Sequence, residues 1–591
     1  MSSREGGRLT RREVLKQGVA AAAGIAATAG IAATAGIAAT AGVAGSELVA
    51  ADSVSTADSA SAADSASAGD SASTAGSASA ADSASTADPA SAADRGPARR
   101  PNVILIHTDD QNFEQIACYG HRVFTPHQDR LAGEGVRFTR AYTTTSVCNP
   151  SRYACVTGQF PSRCSEPSFL GAFPEGTQTV VSFNTRLQPG APNIASVLKK
   201  AGYTTGMVGK WDMEVGGLWG NAEERGLIPL PKADPWTASE SEVDPRDPKV
   251  AEILRNNHDR YSAEIKACGF DYAERLCNNP ESWGNHPLNV HNLEWVVEGA
   301  LDFIGQNKDK PFSLYVAPTL HHIPHPQESL LQADPRITLG GYLDRAPDVM
   351  PPRDGIMRRV QDAGCAPETA YCTWLDDGVG AILRKLKDLQ LDEDTLIIFF
   401  SDNQTRAKGT LYEGGVRVPC MIRWPRRIRG GRVCGGLAQN VDFAPTVFEA
   451  CGVPKPPDMR IDGKSLLPVL LGKKEKTHED LYFEIGWTRA VCTERWKCLA
   501  LRYPESAKQL EKERGKRLYH QPTLEPLQHN ALLEHPNFWD PDQLYDLSID
   551  STETVNFAYD PKHAATLADM KGRLKGRLET FGNHPFGDFL G

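Results

Sequence analysis

The chain predicts an α/β fold, a mostly parallel sheet flanked by helices, followed by a small α+β subdomain toward the C-terminus. Three observations lead there. The apolar runs at 102–108 and 395–400 lack the alternation of a half-exposed strand, so they read as strands buried on both faces. Helical patterns precede strands: 194–201 leads into a strand at 203–209. Likewise a helix with apolar positions Leu293, Val296, Val297, Ala300, Leu301 and Ile304 leads into a strand at 312–316. After Leu471 the alternation fades, and 482–501 reads as short strands. The chain therefore divides into 1–50, 51–100, a main domain at 101–471 and a subdomain at 472–591.

The first fifty residues stand apart. Thr10-Arg11-Arg12-Glu13-Val14-Leu15-Lys16 resembles a twin-arginine export signal and precedes an uncharged Ala/Gly-rich stretch at 17–46. Its weak hydrophobicity fits that route better than a membrane span. The twin-arginine translocase is the implied partner, and the destination is periplasmic, cell-surface or secreted. From 51 to 94 the composition is Ala, Ser and Asp with little else, which cannot bury a core and predicts a disordered, mildly acidic tether.

The strand at 102–108 ends in Asp109-Asp110. Paired carboxylates there are costly unless something positive neutralises them. The carboxyl ends of parallel strands are also where ligands collect. The strand at 395–400 ends in the same way, in Ser401-Asp402-Asn403. Carboxylate and amide oxygens are hard ligands that suit calcium or magnesium better than zinc, so the two strand ends predict one shared divalent-cation site. Lys210 follows the strand at 203–209, His321, His322 and His325 follow the strand at 312–316, and Lys408 lies just past Asn403. One alternating pattern would gather them at a single sheet edge.

Between these strands lies Cys148-Asn149-Pro150-Ser151-Arg152-Tyr153-Ala154-Cys155-Val156-Thr157-Gly158, which matches the C-x-P-S-R-x-x-x-x-T-G signature of the formylglycine-dependent sulfatases. Cys118-Tyr119-Gly120, Thr125-Pro126-His127, Gly209-Lys210-Trp211, Glu413-Gly414-Gly415-Val416-Arg417-Val418-Pro419 and Leu544-Tyr545-Asp546-Leu547 are also similar to that family's consensus. Over roughly 101–561 the chain resembles a type I sulfatase of the alkaline-phosphatase superfamily. The resemblance implies a large mixed, mostly parallel sheet of the alkaline-phosphatase type. It implies oxidation of Cys148 to formylglycine by the formylglycine-generating machinery, because a hydrated aldehyde offers one hydroxyl to attack sulfur and another to expel the product. It further implies a calcium ion held by Asp109, Asp110, Asp402, Asn403 and residue 148. Arg152 would steady the aldehyde hydrate, while Lys210 and Lys408 would bind sulfate oxygens. His322 best fits the histidine that contacts the sulfate and the leaving oxygen, with His321 and His325 close by. The implied reaction is hydrolysis of sulfate monoesters on carbohydrates or aryl groups. The chain departs from the family at Asp212, where a histidine is usual, and at Gln404, where glycine is usual.

The 13 cysteines lack the spacing of a disulfide framework, and most read as small buried hydrophobes. Cys492 and Cys498 would pair if 493–497 formed a hairpin tip. A net charge of -10 carries no sign of nucleic-acid binding and offers no long-range attraction to sulfated glycans. Two other functions compete with sulfate-ester hydrolysis. One is a formylglycine-dependent phosphonate or phosphodiester hydrolase. The other is an exported glycan-binding protein with a decayed site, which Asp212 would permit and the intact cation ligands and lysines oppose.

Overall fold

The structure, a computed structural model, describes residues 100–213, 244–277, 288–322, 331–505, 509 and 534–589. The expected export signal, the tether and His325 lie outside the described residues. The described strands are β1 (Asn102–Thr108), β2 (Val136–Tyr142), β3 (Thr204–Lys210), β4 (Tyr272–Cys277), β5 (Phe312–Ala317), β6 (Ile337–Thr338), β7 (Gly341–Tyr342) and β8 (Thr395–Ser401). They continue with β9 (Arg417–Arg423), β10 (Arg432–Cys434), β11 (Ala438–Gln439), β12 (Leu481–Ile485), β13 (Thr488–Cys492), β14 (Trp496–Leu501) and β15 (Asp542–Asp546).

The main sheet runs β10-β2-β9-β8-β1-β5-β3-β4, with β11 also paired to β2. Strands β8, β1, β5, β3 and β4 are mutually parallel. Among the described strands of this sheet, β9 alone runs against its neighbours β8 and β2, so the sheet is mixed as expected. Each face is covered. Val103 and Leu105 of β1 pack into a core with the helices Cys148–Thr157, Ile194–Lys200 and Phe443–Cys451. Ile104 and Ile106 pack into the opposite core with the helices Pro126–Gly133, Leu293–Gln306 and Ala370–Asp388. Burial on both faces explains why β1 is apolar at successive positions. Each such aliphatic side chain contributes about 1.5–3 kcal/mol.

The smaller sheet is antiparallel, in order β12-β13-β14-β15. The helix Ala564–Glu579 covers one of its faces through Met570, Leu574 and Leu578. Both sheets belong to one compact unit, Arg99–Gly591. The expected hairpin at 493–497 joins β13 to β14, but its cysteines do not pair. The register sets Cys492 opposite Lys497 and Cys498 opposite Val491, so the two thiols point to opposite faces and both are free. Eleven of the 13 cysteines are buried, consistent with their use as small hydrophobes.

Candidate active site

Strands β8, β1, β5 and β3 are neighbours, and each delivers chemistry at its carboxyl end. β8 leads to Asp402 and Asn403, β1 to Asp109 and Asp110, β5 to His321 and His322, and β3 ends on Lys210. Backbone pairing runs on past the strands and ties the loops together. The Asp402 N–H donates to the Thr108 carbonyl at 3.1 Å and the Asp109 N–H to the Leu320 carbonyl at 3.0 Å, while the His321 N–H donates back to Asp109. Asp110 sits at φ 57°, a costly region for a residue with a side chain, and its N–H donates to Asp402 Oδ1 at 3.0 Å. Just before Lys210, Gly209 adopts φ 92°, and a Cβ there would lie 2.1 Å from the Ala317 carbonyl oxygen. Only glycine lets β3 make the register shift that precedes Lys210.

Cys148 opens the helix Cys148–Thr157, and Gly158 at φ 68° closes it. Pro150 is tolerated because it falls in the first turn. Arg152 lies four residues after Cys148, so both project from one helical face. That is the physical content of the spacing in C-x-P-S-R. Asn149 pins the helix start by accepting from the Thr185 N–H at 2.9 Å and donating to the Thr185 carbonyl at 2.8 Å.

The expected residues converge. Cys148 Sγ lies 3.5 Å from Asp109 Oδ1, 3.7 Å from Asn403 Oδ1 and 3.6 Å from Lys408 Nζ. Lys210 Nζ is 2.7 Å from Asp109 Oδ2 and 3.4 Å from Asp212 Oδ2. Lys408 Nζ donates to both oxygens of Asp110, at 2.6 and 2.8 Å. Arg152 donates to Asp402 Oδ2 at 2.9 Å and stands 3.4 Å from Asp109 Oδ2. His322 Nε2 lies 3.9 Å from Asp110 Oδ2 and groups with Asp109 and Cys148. His321 does not join them: it is fully buried with its ring edge-on to Tyr371 at 4.9 Å.

Burial raises the cost of every charge here, and the partners decide the outcome. Burial works to raise Asp109, but Lys210, His322, Arg152 and Lys408 together hold it well below the usual carboxylate range. Asp110 is likewise lowered against burial, chiefly by Lys408. Asp402 is pushed up to about 6 by burial and by the charge of Asp109. Burial opposes charge on Lys210 and Lys408, yet Asp109 and Asp110 respectively keep them protonated. Burial also pushes the Cys148 thiol up, and burial with Lys408 lowers His322. A raised Asp402 beside two ionised carboxylates marks a cluster short of positive charge.

That shortage fits a divalent cation. Asp109, Asp110, Cys148 and Asp402 each offer an atom within 4.8 Å of the others, and Asn403 turns its Oδ1 toward the same point. Apart from the Cys148 sulfur, the donors are hard oxygens, as calcium or magnesium requires.

Two residues of the site escaped the sequence reading. His107 lies within β1 and Tyr315 within β5, and both are buried beside Arg152. A histidine inside an otherwise apolar strand was the available signal.

Comparison with known proteins agrees with this geometry. Residues 101–453 match the family model described as Sulfatase, and residues 405–509 match the one described as N-sulphoglucosamine sulphohydrolase, C-terminal. Arylsulfatase A of Homo sapiens is 30% identical over 499 residues, covering 78% of this chain and 83% of the relative. An N-acetylgalactosamine-6-O-sulfatase of Bacteroides thetaiotaomicron is 26% identical over 81% of this chain and 94% of its own length. A solved structure in complex with its substrate D-glucosamine-2-N,6-O-disulfate shares the fold, with a TM-score of 0.53 and 18% identity over 83% of this chain and 99% of that one. With a family model laid over more than half its length, the chain belongs to the sulfatases of the alkaline-phosphatase superfamily and is a sulfuric ester hydrolase.

Proposed function

We propose that this hydrolase cleaves sulfate monoesters on carbohydrates, using a formylglycine made from Cys148 and one calcium ion. The observation that carries the reading is the convergence on Cys148 Sγ of Asp109, Asn403 and Lys408 at the shared edge of parallel strands. Asp109, Asp110, Asp402, Asn403 and residue 148 would hold the ion. When bound, the ion neutralises the carboxylates and polarises the sulfate, and formylglycine supplies two hydroxyls on one carbon, chemistry that a thiol lacks.

The remaining work falls to the side chains. Lys210 and Lys408 are fixed cations aimed at the space beside residue 148, where they offset charge on the sulfate oxygens. Arg152 braces residue 148 from the next helical turn and holds Asp402 in place. His322 faces that space as a neutral imidazole at rest. The charge of a bound sulfate raises its proton affinity, and it then serves the departing oxygen. Asp212 takes the place of the usual histidine and spends its charge on Lys210, which weakens proton transfer from residue 148 without replacing it.

Charge balance suits a singly charged ester, as a sulfate monoester is. Asp109, Asp110, Asp402 and Asp212 face Arg152, Lys210 and Lys408. A divalent cation leaves that set with one net positive charge, which suits a singly charged ester. The carbohydrate assignment is supported by the relative named for N-acetylgalactosamine-6-O-sulfate chemistry. It also agrees with residues 1–50 acting as a twin-arginine export signal and 51–100 as a tether, which would place the enzyme among extracellular polymers. Peptide mass spectrometry across residue 148, on protein from its own host, should find an aldehyde in place of the thiol. Cys148→Ala should abolish hydrolysis while the protein still folds. An unmodified thiol in active protein, or activity in that variant, would sink the mechanism.

A further inference from the structure

We propose that Gln404 is a positioning residue for Lys408, its side-chain amide strapping together the two arms of the loop that aims this lysine at residue 148. The proposal rests on the functional reading above. The loop leaves β8 at Ser401 and returns as β9 at Arg417, with Lys408 near its middle. In the β8–β9 register Phe400 faces Cys420, so continued pairing would set Asn403 opposite Arg417. The ladder stops short of that step, where Asp402 turns its side chain to Arg152 and Asn403 to Cys148. Gln404 takes over the pairing. Its N–H donates to the Gly415 carbonyl at 2.9 Å, and its Nε2 donates to the Glu413 carbonyl at 3.2 Å and to the Arg417 carbonyl.

The acceptors fix which way round the amide lies. An amide oxygen in that place would face two carbonyl oxygens, whereas the nitrogen carries the two protons that both bonds need. Gln404 is buried, so water does not stand in for either bond. The glycine that is usual here in the family offers no such donor. The strap bears on Lys408 through the residue before it. Gly414 and Gly415 lie between the carbonyls that the amide holds, and Ala407 rests on them. The Ala407 N–H donates to the Gly414 carbonyl at 3.0 Å, and a Cβ on Gly415 would lie 2.5 Å from the Ala407 carbonyl oxygen. Beyond Lys408, Ser146 holds the other flank: its carbonyl accepts from the Gly409 N–H at 3.3 Å and its hydroxyl donates to the Thr410 carbonyl at 2.5 Å. Lys408 is thus clamped on both sides of its backbone. Releasing the Gln404 side lets Nζ drift from its place 3.6 Å from Cys148 Sγ.

The test reads the loop directly and then through catalysis. Hydrogen exchange followed by mass spectrometry should run faster over 405–416 in Gln404→Gly and Gln404→Met than in wild type. Methionine keeps the length and packing of the side chain without its donors. On p-nitrophenyl sulfate, with formylglycine content and calcium matched, each variant should lower kcat about 10-fold with KM within about twofold, a small shift of a catalytic group being costly. Added to Lys408→Ala, the same changes should cost less than about twofold more, because nothing is left for Gln404 to position. The rise in unfolding temperature on adding calcium should match that of wild type. Unchanged exchange, an unchanged kcat in Gln404→Met or a full further loss on top of Lys408→Ala would each overturn the proposal. So would a lost calcium response, which would show the amide acting through Asn403 instead. If Gln404→Met does not fold, the glycine variant carries the same readings. A matured wild type that leaves the aryl sulfate intact would break the functional reading instead, and the exchange of 405–416 would remain decisive for the strap.

Discussion

The loop after β8 sends Lys408 into one buried charge cluster and Glu413 into another, and the two clusters differ in ways that separate a site from a scaffold. Around Cys148, carboxylates from two strand ends point at a common center, with a nucleophile position and a histidine beside them. Around Glu413, a single buried lysine answers two carboxylates. Lys497 Nζ is 3.1 Å from Glu413 Oε1 and 3.0 Å from Glu553 Oε1, and the Tyr142 hydroxyl donates to Glu413 Oε2 at 3.1 Å. This second cluster joins the main sheet, through Tyr142 of β2, to the small sheet, through Lys497 of β14. Both are almost wholly buried, so burial of charge does not distinguish them. Convergence does. In the first cluster the oxygens crowd one point beside the Cys148 sulfur. In the second they spread around one ammonium, as suits an ion pair that fixes where two layers meet rather than adding much stability.

The comparison breaks most sharply at Asp402. Asp402→Ala should remove calcium-dependent stabilisation and lower turnover by roughly 10⁴-fold, since the members of such a unit fail together. Calcium titration followed by unfolding temperature, alongside turnover of p-nitrophenyl sulfate, reads both. A variant that still gained stability from calcium would refute the shared ion site. Lys408→Ala comes next. Losing one preorganised donor typically costs about 10²–10³ in rate. The fall should appear mainly in kcat, with unfolding temperature changing little once calcium balances Asp110. A loss confined to KM would show that Lys408 binds substrate and transition state equally.

Much of this site was legible because its residues sit at strand ends, where apolar runs stop abruptly on Asp109-Asp110 and Ser401-Asp402-Asn403. The strands themselves were readable for the same reason: β1 spans the expected 102–108, and β8 extends the expected 395–400 by a single residue. The resemblance singled out His322, but the residues alone did not choose among the histidines, since His321 and His322 are adjacent and only the backbone path after β5 turns one ring to Tyr371 and the other to Asp110. Nor was the absence of a Cys492–Cys498 bridge, which follows from a strand register the sequence does not display. The second charge cluster was invisible because Glu413, Lys497 and Glu553 come from three distant segments with no shared pattern.

The smallest expected effect lies in that second cluster and sharpens the contrast. Glu553 is raised from 4.5 to about 7, because burial and the neighbouring Glu413 outweigh the pull of Lys497. The folded chain therefore holds this proton more tightly than the unfolded chain does. The stability that the proton contributes is complete below about 4.5 and is lost as pH rises through about 7, at no more than about 1.4 kcal/mol per pH unit. Glu553→Gln keeps an uncharged side chain at every pH, so its unfolding temperature relative to wild type should rise between about pH 5 and pH 8, while turnover stays within about twofold. Parallel pH profiles for the two proteins would mean that Glu553 ionises as readily in the fold as outside it. The second cluster would then be a simple ion triad, unlike the active site with its raised Asp402.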